Sequence, residues 1–260
     1  MTGGDAHSVA HTIDGRHTAE GGVTRAEAMA AGGAMHSDTA VMLVATFGTG
    51  IIDAIGYLGF DRIFTANMTG NVIVLGMGLA GNDLPVVSPL VALAAFFCGA
   101  LHAGRFLAGV PKGWSRKIRW VFMGEAAELA AIGVALMGAD LQPESVQLYV
   151  FTALIAYVLG VQACAARKVG VKDVTTVVVT STIVGLASES RAAGGSGEGG
   201  ARKFAAVVSI SLGALVGGAL HRVGDCYGVF ATAAVIAAVA LMGRSRERHE
   251  ADSSGAQTHG

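Results

Sequence analysis

The fold of this chain is decided by residues 39–80, which read TAVMLVATFGTGIIDAIGYLGFDRIFTANMTGNVIVLGMGLA. The first part, Thr39–Gly59, is an apolar run as long as a membrane-spanning helix requires, which is about 20 residues. The second part, Ile63–Ala80, has spanning length but is interrupted near its centre by Thr69-Gly70-Asn71. A continuous segment followed by an interrupted one predicts a membrane protein in which some segments enter the bilayer without crossing it.

The composition of the whole chain also indicates an integral membrane protein. Its 260 residues are 52% hydrophobic and only 14% charged, whereas soluble domains carry about 25% charged residues. A net charge of −1 provides no basic surface, so we expect no nucleic-acid partner. The three cysteines have no paired spacing, and we expect neither a disulfide framework nor a metal site. We also expect no cofactor.

Eight apolar segments lie between two polar ends. Residues 1–38 are predicted to form a disordered polar tail, residues 39–243 the membrane domain, and residues 244–260 a second polar tail. The segments are A (Thr39–Gly59), B (Ile63–Ala80), C (Val86–Arg105), D (Arg119–Gly138), E (Val146–Ala166), F (Val174–Ala187), G (Phe204–Arg222) and H (Tyr227–Gly243). Segment F is too short to span a bilayer and segment B is interrupted.

The distribution of lysine and arginine decides between eight spans and six. With eight spans, the 18 positive charges divide into 8 inside and 10 outside, which is no bias. If B and F enter and leave on the same side, 16 lie inside and only Arg62 and Arg222 lie outside. Cytoplasmic loops carry the excess of positive charge. We therefore predict six spans with both termini in the cytoplasm.

This topology divides the membrane domain into two halves of opposite orientation, residues 39–139 and residues 146–243. Each half has three spanning segments and one short segment after the first of them. The predicted fold is an all-α integral membrane protein with six spanning helices, two interrupted or re-entrant segments and a 3+3 inverted repeat.

Segments B and F are the first candidates for a binding site. Interrupted segments at matching positions of two halves are the best sequence indication of a transporter site. Thr69-Gly70-Asn71 in B and Thr175-Thr176 in F would each precede a half-helix, whose free N–H groups favour a polar ligand. We expect the two breaks to meet near mid-membrane. The alternative is that these small residues only allow helices to pack closely.

Two polar residues, one on the first helix of each half, could complete that site. Asp53 in segment A is a carboxylate within the apolar core, so it should face the bundle interior and have a partner or a proton. Gln162 lies at nearly the corresponding position of segment E. The alternative for Asp53 is a structural hydrogen bond to loop backbone.

Segment D contains two further carboxylates, Glu125 and Glu128, which lie on one helical face at spacing i, i+3. Two carboxylates this close are not both expected to ionise in a low dielectric, so one should hold a proton at neutral pH. They could form a proton relay or hydrogen bonds between helices. His102, close to Arg105 in segment C, is predicted to lie at the membrane interface.

The chain resembles the YoaK family of bacterial inner-membrane proteins. The resemblance covers Thr39–Gly243 and rests on GIIDA at 50–54 with FTANMTGN at 64–71, then on GVQ at 160–162, AAR at 165–167 and VTT at 174–176 with Thr180. Met68 and Ala163 depart from the family pattern, and Ala163 removes an amide from the second half. The resemblance implies the membrane fold and the inner-membrane location, but no activity.

We predict a secondary transporter of a small solute, with protons as the candidate coupling ion. Its partners would be the lipid bilayer and the solute or proton, and a homo-oligomer is allowed. A passive channel and a non-transporting scaffold or sensor are the alternatives, and we expect no enzymatic activity. The predicted substrate-binding residues are Asp53, Asn67, Thr69, Gly70, Asn71, Gln162, Thr175, Thr176 and Thr180.

Overall fold

Long apolar stretches separated by short polar turns give a helical bundle. The computed structural model describes residues 25–170 and 179–257, with side chains at 38–170 and 179–243, and contains no strand within these ranges. The predicted all-α class is therefore confirmed for the described part of the chain. The helices are α1 (Arg25–Gly59), α2 (Met68–Leu79), α3 (Val87–Phe106), α4 (Arg116–Leu136), α5 (Val146–Val169), α6 (Val179–Ser188), α7 (Gly200–His221) and α8 (Asp225–Gln257).

Five of the described helices contain stretches that are long and apolar enough to cross a membrane. They are Asp38–Gly59, Val87–Phe106, Val146–Val169, Gly200–His221 and Asp225–Gly243. Helix α4, which corresponds to segment D, is 21 residues long but is less apolar. Its charged residues are Arg116, Lys117, Arg119, Glu125 and Glu128. The sixth span therefore stays a prediction.

Helices α2 and α6 are short, with 12 and 10 residues respectively. At 1.5 Å per residue they extend about 18 and 15 Å, which is well below the thickness of a bilayer core. Helix α2 begins at Met68, so Thr69-Gly70-Asn71 forms its first turn rather than preceding it. Asn67 is the N-cap, and its Oδ1 accepts a hydrogen bond from the Gly70 amide at 3.4 Å. The predicted break at Thr175–Thr176 lies outside the described residues.

Helices α1 and α7 cross at a pair of glycines. A Cβ atom on Gly50 would overlap the carbonyl oxygen of Ile210, and a Cβ atom on Gly213 would overlap the carbonyl oxygen of Phe47. The two backbones are therefore in direct contact, as small residues permit between membrane helices.

Helices α3 and α5 cross in the same way. A Cβ atom on Gly160 would overlap the carbonyl oxygen of Phe96, and a Cβ atom on Gly99 would overlap that of Tyr157. Helix α4 packs against α8 and α5, while α8 also packs against α1. The core thus lies where α1, α4, α5 and α8 face one another.

The ends of the helices form two opposite faces of the bundle. On the first face, the Asp61 Oδ2 accepts hydrogen bonds from the Ser88 hydroxyl at 2.8 Å and from the Glu144 amide at 3.2 Å. On the second face, the Gly113 amide donates to the Lys168 carbonyl at 3.1 Å. On the first face, these contacts join the α1–α2 connection to the start of α3 and to the connection before α5. On the second face, they join the connection after α3 to the last turn of α5.

Candidate functional site

Asp53 is buried and holds the non-helical stretch before α2. Its Oδ1 accepts hydrogen bonds from the Thr65 amide at 2.9 Å, the Ala66 amide at 2.7 Å and the Thr65 hydroxyl at 3.2 Å. Three donors converge on one oxygen, so this carboxylate replaces the backbone partners that the stretch lacks. These contacts match the structural alternative considered for Asp53, and its role in substrate binding stays a prediction.

Asn71 closes the same stretch from the other side. Its Oδ1 accepts from the Phe64 amide at 2.8 Å, and its Nδ2 donates to the Phe64 carbonyl at 2.6 Å. Gly70 lies against the Phe64 ring, where a Cβ atom would clash. Asn67 and Thr69 are exposed. The motif at 64–71 therefore forms a turn that packs on the start of α2, and its Asn67 and Thr69 side chains remain exposed.

The predicted residues of the second half are less connected. Gln162 is 1% exposed, and its Nε2 has no hydrogen-bond partner in the described part of the chain. Thr180 is exposed on α6, whereas Thr175 and Thr176 lie outside the described residues. Helix α2 packs on α3 and helix α6 on α7, with no contact between α2 and α6 over their described residues. The joint site of segments B and F stays a prediction.

The carboxylates of α4 lie on a cavity between α3, α4 and α5. The cavity has a volume of about 190 Å³, and Glu125, Glu128, His102 and Tyr157 are among its lining residues. Glu125 is 2% exposed, and neither of its carboxylate oxygens has a hydrogen-bond partner among the described residues. A buried carboxylate without a partner is costly in a membrane, so Glu125 is a candidate functional residue.

A second cavity of about 450 Å³ continues the first along α4 and α5. The two cavities share Glu128 and Tyr157. Their α4 lining extends from Trp120 to Ala135, a distance of about 22 Å at the helical rise. Glu128 therefore lies where the two cavities adjoin along the α4–α5 interface.

His102 and Tyr157 were not selected from the sequence as site residues. The imidazole Nδ1 of His102 is hydrogen-bonded to the Tyr157 hydroxyl, and both side chains line the smaller cavity. The two residues are 55 positions apart, so only the α3–α5 crossing brings them together. A tyrosine hydroxyl within apolar segment E was the available sequence signal, because a buried hydroxyl requires a partner.

Carboxylates that line a cavity have the chemistry to bind a proton or a cation. Among the described residues, no group of three His, Cys, Asp or Glu side chains is placed to hold a metal ion. Glu125 lacks the donors that bind Asp53, so no described group competes with a ligand for its buried oxygens.

The chain is similar in sequence to known proteins. The family described as "Protein of unknown function (DUF1275)" matches residues 41–243. The UPF0700 transmembrane protein YoaK of Bacillus subtilis (strain 168) is 30% identical over 139 residues, which is 53% of this chain and 60% of that relative. The match thus spans three-fifths of the relative's length. No solved structure is significantly similar.

Proposed function

Since the chain belongs to the DUF1275 family of membrane proteins, whose description states no activity, we propose from its geometry that it is a proton-coupled secondary transporter of a small solute. The observation that carries this proposal is Glu125, which is buried without a partner beside a cavity near the middle of α4. Intramembrane carboxylates of this kind are typical of proton relays and substrate paths. Transport, rather than catalysis, is the proposed activity.

Six spans follow if α4 also crosses the membrane. Its 21 residues extend about 31 Å, which matches the roughly 30 Å core. The α4 N-terminus follows Gly113 on one face of the bundle, and its C-terminus leads to Glu144 on the other. The two carboxylates on α4 line cavities, where polar groups are tolerated at membrane depth.

The orientation follows from the positive charges. The face with Gly113 and Lys168 belongs to the loops that contain 16 of the 18 lysines and arginines in the six-span arrangement. We place that face and both termini on the cytoplasmic side of a bacterial inner membrane.

The glycine crossings support an inverted repeat. Gly50 and Phe47 of α1 correspond to Gly160 and Tyr157 of α5, each 110 residues later. Gly99 and Gly213 correspond across α3 and α7 at a spacing of 114. In this pairing, the α1–α7 crossing and the α3–α5 crossing have the same glycine–carbonyl contacts, with the roles of the two halves exchanged. A two-fold axis in the membrane plane would require this exchange.

Alternating access requires a path that can open toward either side around one site. The two cavities that meet at Glu128 and Tyr157 are suited to this, since one extends along α4 toward Trp120 and the other toward Ala135. Glu125 and Glu128 would take up protons from the two cavities and release protons into them. A passive channel would need no such ionisable group, so coupling separates the two functions.

The test is solute screening in sealed proteoliposomes with an imposed proton gradient. We expect proton movement to accompany uptake or release of one solute class, and Glu125→Gln to abolish the coupling. Glu198→Gln, which changes an exposed carboxylate outside the helices, is the matched control. Solute flux that is indifferent to both the proton gradient and Glu125→Gln would favour a channel. Silence across all solutes would favour a scaffold or sensor.

A further inference from the structure

The charged groups on the cavity between α3, α4 and α5 are of one sign. Glu125 and Glu128 line it, and no lysine or arginine does so among the described residues. Its other titratable lining groups are His102 of α3 and Tyr157 of α5, which bind each other. Helix α8, which packs against α4, carries no charged residue between Tyr227 and Gly243. A ligand that enters this cavity therefore meets two carboxylates without a competing internal cation.

The remaining lining favours an organic cation over a metal ion. Metal ions such as Mg²⁺ and Ca²⁺ require six or more oxygen ligands or bound waters, whereas this cavity is lined mainly by aliphatic and aromatic side chains. Arg119 already lies over the Trp120 ring, 5.8 Å from its centroid. Phe106 and Tyr157 remain as rings that can attract a ligand cation through their faces.

The adjoining cavity indicates that the ligand is amphipathic. Apart from Glu128 and the Tyr157 hydroxyl, its lining is apolar, with Phe151 and Leu154 among its members. Leu154 and Glu128 are exposed on the surface of the bundle. A ligand with an apolar arm could therefore enter from the bilayer, with the arm along α5 and the charged group at Glu125.

We infer that this cavity binds small amphipathic amines or quaternary ammonium ions of single positive charge, and that such a cation displaces the proton of Glu125. The inference rests on the proposed transport function and names its substrate class. Glu125 holds a proton while the cavity is empty, because an isolated ionised carboxylate is costly there. Cation binding leaves Glu125 as a carboxylate paired with the ligand, and the proton leaves to water. One cation then exchanges for one proton, which is antiport.

Equilibrium dialysis of the purified full-length protein in detergent tests this assignment, with radiolabelled benzyltrimethylammonium as the probe. We expect saturable binding that strengthens as pH rises, with one proton released per cation in weakly buffered solution. Neutral benzyl alcohol and anionic phenylacetate should not compete. Glu125→Gln should weaken binding by about tenfold or more, because the buried ligand charge loses its partner. Its residual binding should depend less on pH, because Glu128 is then the remaining carboxylate on the cavity.

Two further variants keep the result interpretable. Glu125→Asp retains the carboxylate and should retain binding, whereas Glu198→Gln should bind like the unmodified protein. Equal affinity in Glu125→Gln and the unmodified protein, or binding without proton release, would overturn the assignment. Transport of another solute with no benzyltrimethylammonium binding would overturn it while leaving the proposed transport function intact. Binding with proton release but without transport in proteoliposomes would instead contradict the transport function and antiport, while leaving the cation site intact.

Discussion

In the proposed pairing, the two halves of the bundle contribute the same glycine crossings but carry different residues at the positions that anchor the first short helix. In the first half, Asp53 and Asn71 hold the stretch before α2 through its backbone. In the proposed pairing of halves, Ala163 lies 110 residues after Asp53 and Thr182 lies 111 after Asn71. In this pairing the glycine contacts recur in both halves, while the residue types of Asp53 and Asn71 do not recur at the paired positions of the second half.

Helices α4 and α8 differ in the same sense. They pack against each other and correspond in the proposed pairing of halves. Glu125 and Glu128 occur only on α4, and the span of α8 is uncharged from Tyr227 to Gly243. A symmetric scaffold with carboxylates on one side would have one coupling site rather than two. Antiport of one cation against one proton fits this asymmetry.

Labelling from the two sides of the membrane gives the largest expected effect, since it is all or none. Cysteines introduced singly at Lys112 and Asp83, with the three native cysteines replaced, should react with an impermeant maleimide from opposite sides. We expect the Lys112 position to react only from the cytoplasm and the Asp83 position only from outside. Reaction of the Lys112 position from outside would refute both the topology and the inversion of the halves.

The glycine crossings should be equally intolerant of a side chain in both halves. Gly50→Ala and Gly160→Ala each force a methyl group against a carbonyl oxygen of the facing helix. We expect each to lower the free energy of unfolding by about 3 kcal/mol. Gly76→Ala, where nothing lies within 4 Å of the new atom, is the control and should be neutral or slightly stabilising. Unfolding in mixed micelles measures all three, and unequal effects at the two crossings would break the proposed pairing.

Asp53 should matter more for stability than its counterpart Ala163. Asp53→Ala leaves the Thr65 and Ala66 amides buried without their acceptor, which should cost about 2 kcal/mol. Asp53→Asn keeps one acceptor oxygen and should cost less. Ala163→Gly serves as the control for the second half. If Asp53→Asn preserved stability but abolished transport, Asp53 would be a binding residue rather than an anchor.

The ion pair of the second half should give the smallest effect. Lys203 is buried and its Nζ lies 2.6 Å from Glu189 Oε2, but the Glu189 side chain is 59% exposed. Solvent screens the exposed Glu189 carboxylate, and the amide oxygen of a glutamine in its place can still accept a hydrogen bond from the buried Lys203 ammonium, so Glu189→Gln should shift the unfolding midpoint only slightly. High salt should have little further effect on that variant. A loss as large as that of Asp53→Ala would identify Lys203 and Glu189 as the second half's anchor.

Most of the helices could be predicted from hydropathy alone. Segments A, C, E, G and H each overlap a candidate span in the structure, and segment B begins with a non-helical stretch before a short helix. The start of α2 was predicted too late, because Asn67 rather than Thr69-Gly70-Asn71 caps the helix. An asparagine that can cap and an asparagine that binds Phe64 across seven residues look the same in a sequence.

The sequence by itself determined the class of this protein, the positions of its main helices and its family. The reason is that a bilayer requires each segment to satisfy its backbone hydrogen bonds internally, so helix formation depends on local composition. Only the tertiary structure decided which buried carboxylates have hydrogen-bond partners and which do not. The Asp53 carboxylate accepts hydrogen bonds from the backbone amides of residues 65 and 66, whereas the Glu125 carboxylate has no hydrogen-bond donor among the described residues. The cavity beside Glu125 exists only because α3, α4 and α5 meet there, and helix crossing depends on residues that are distant in the chain.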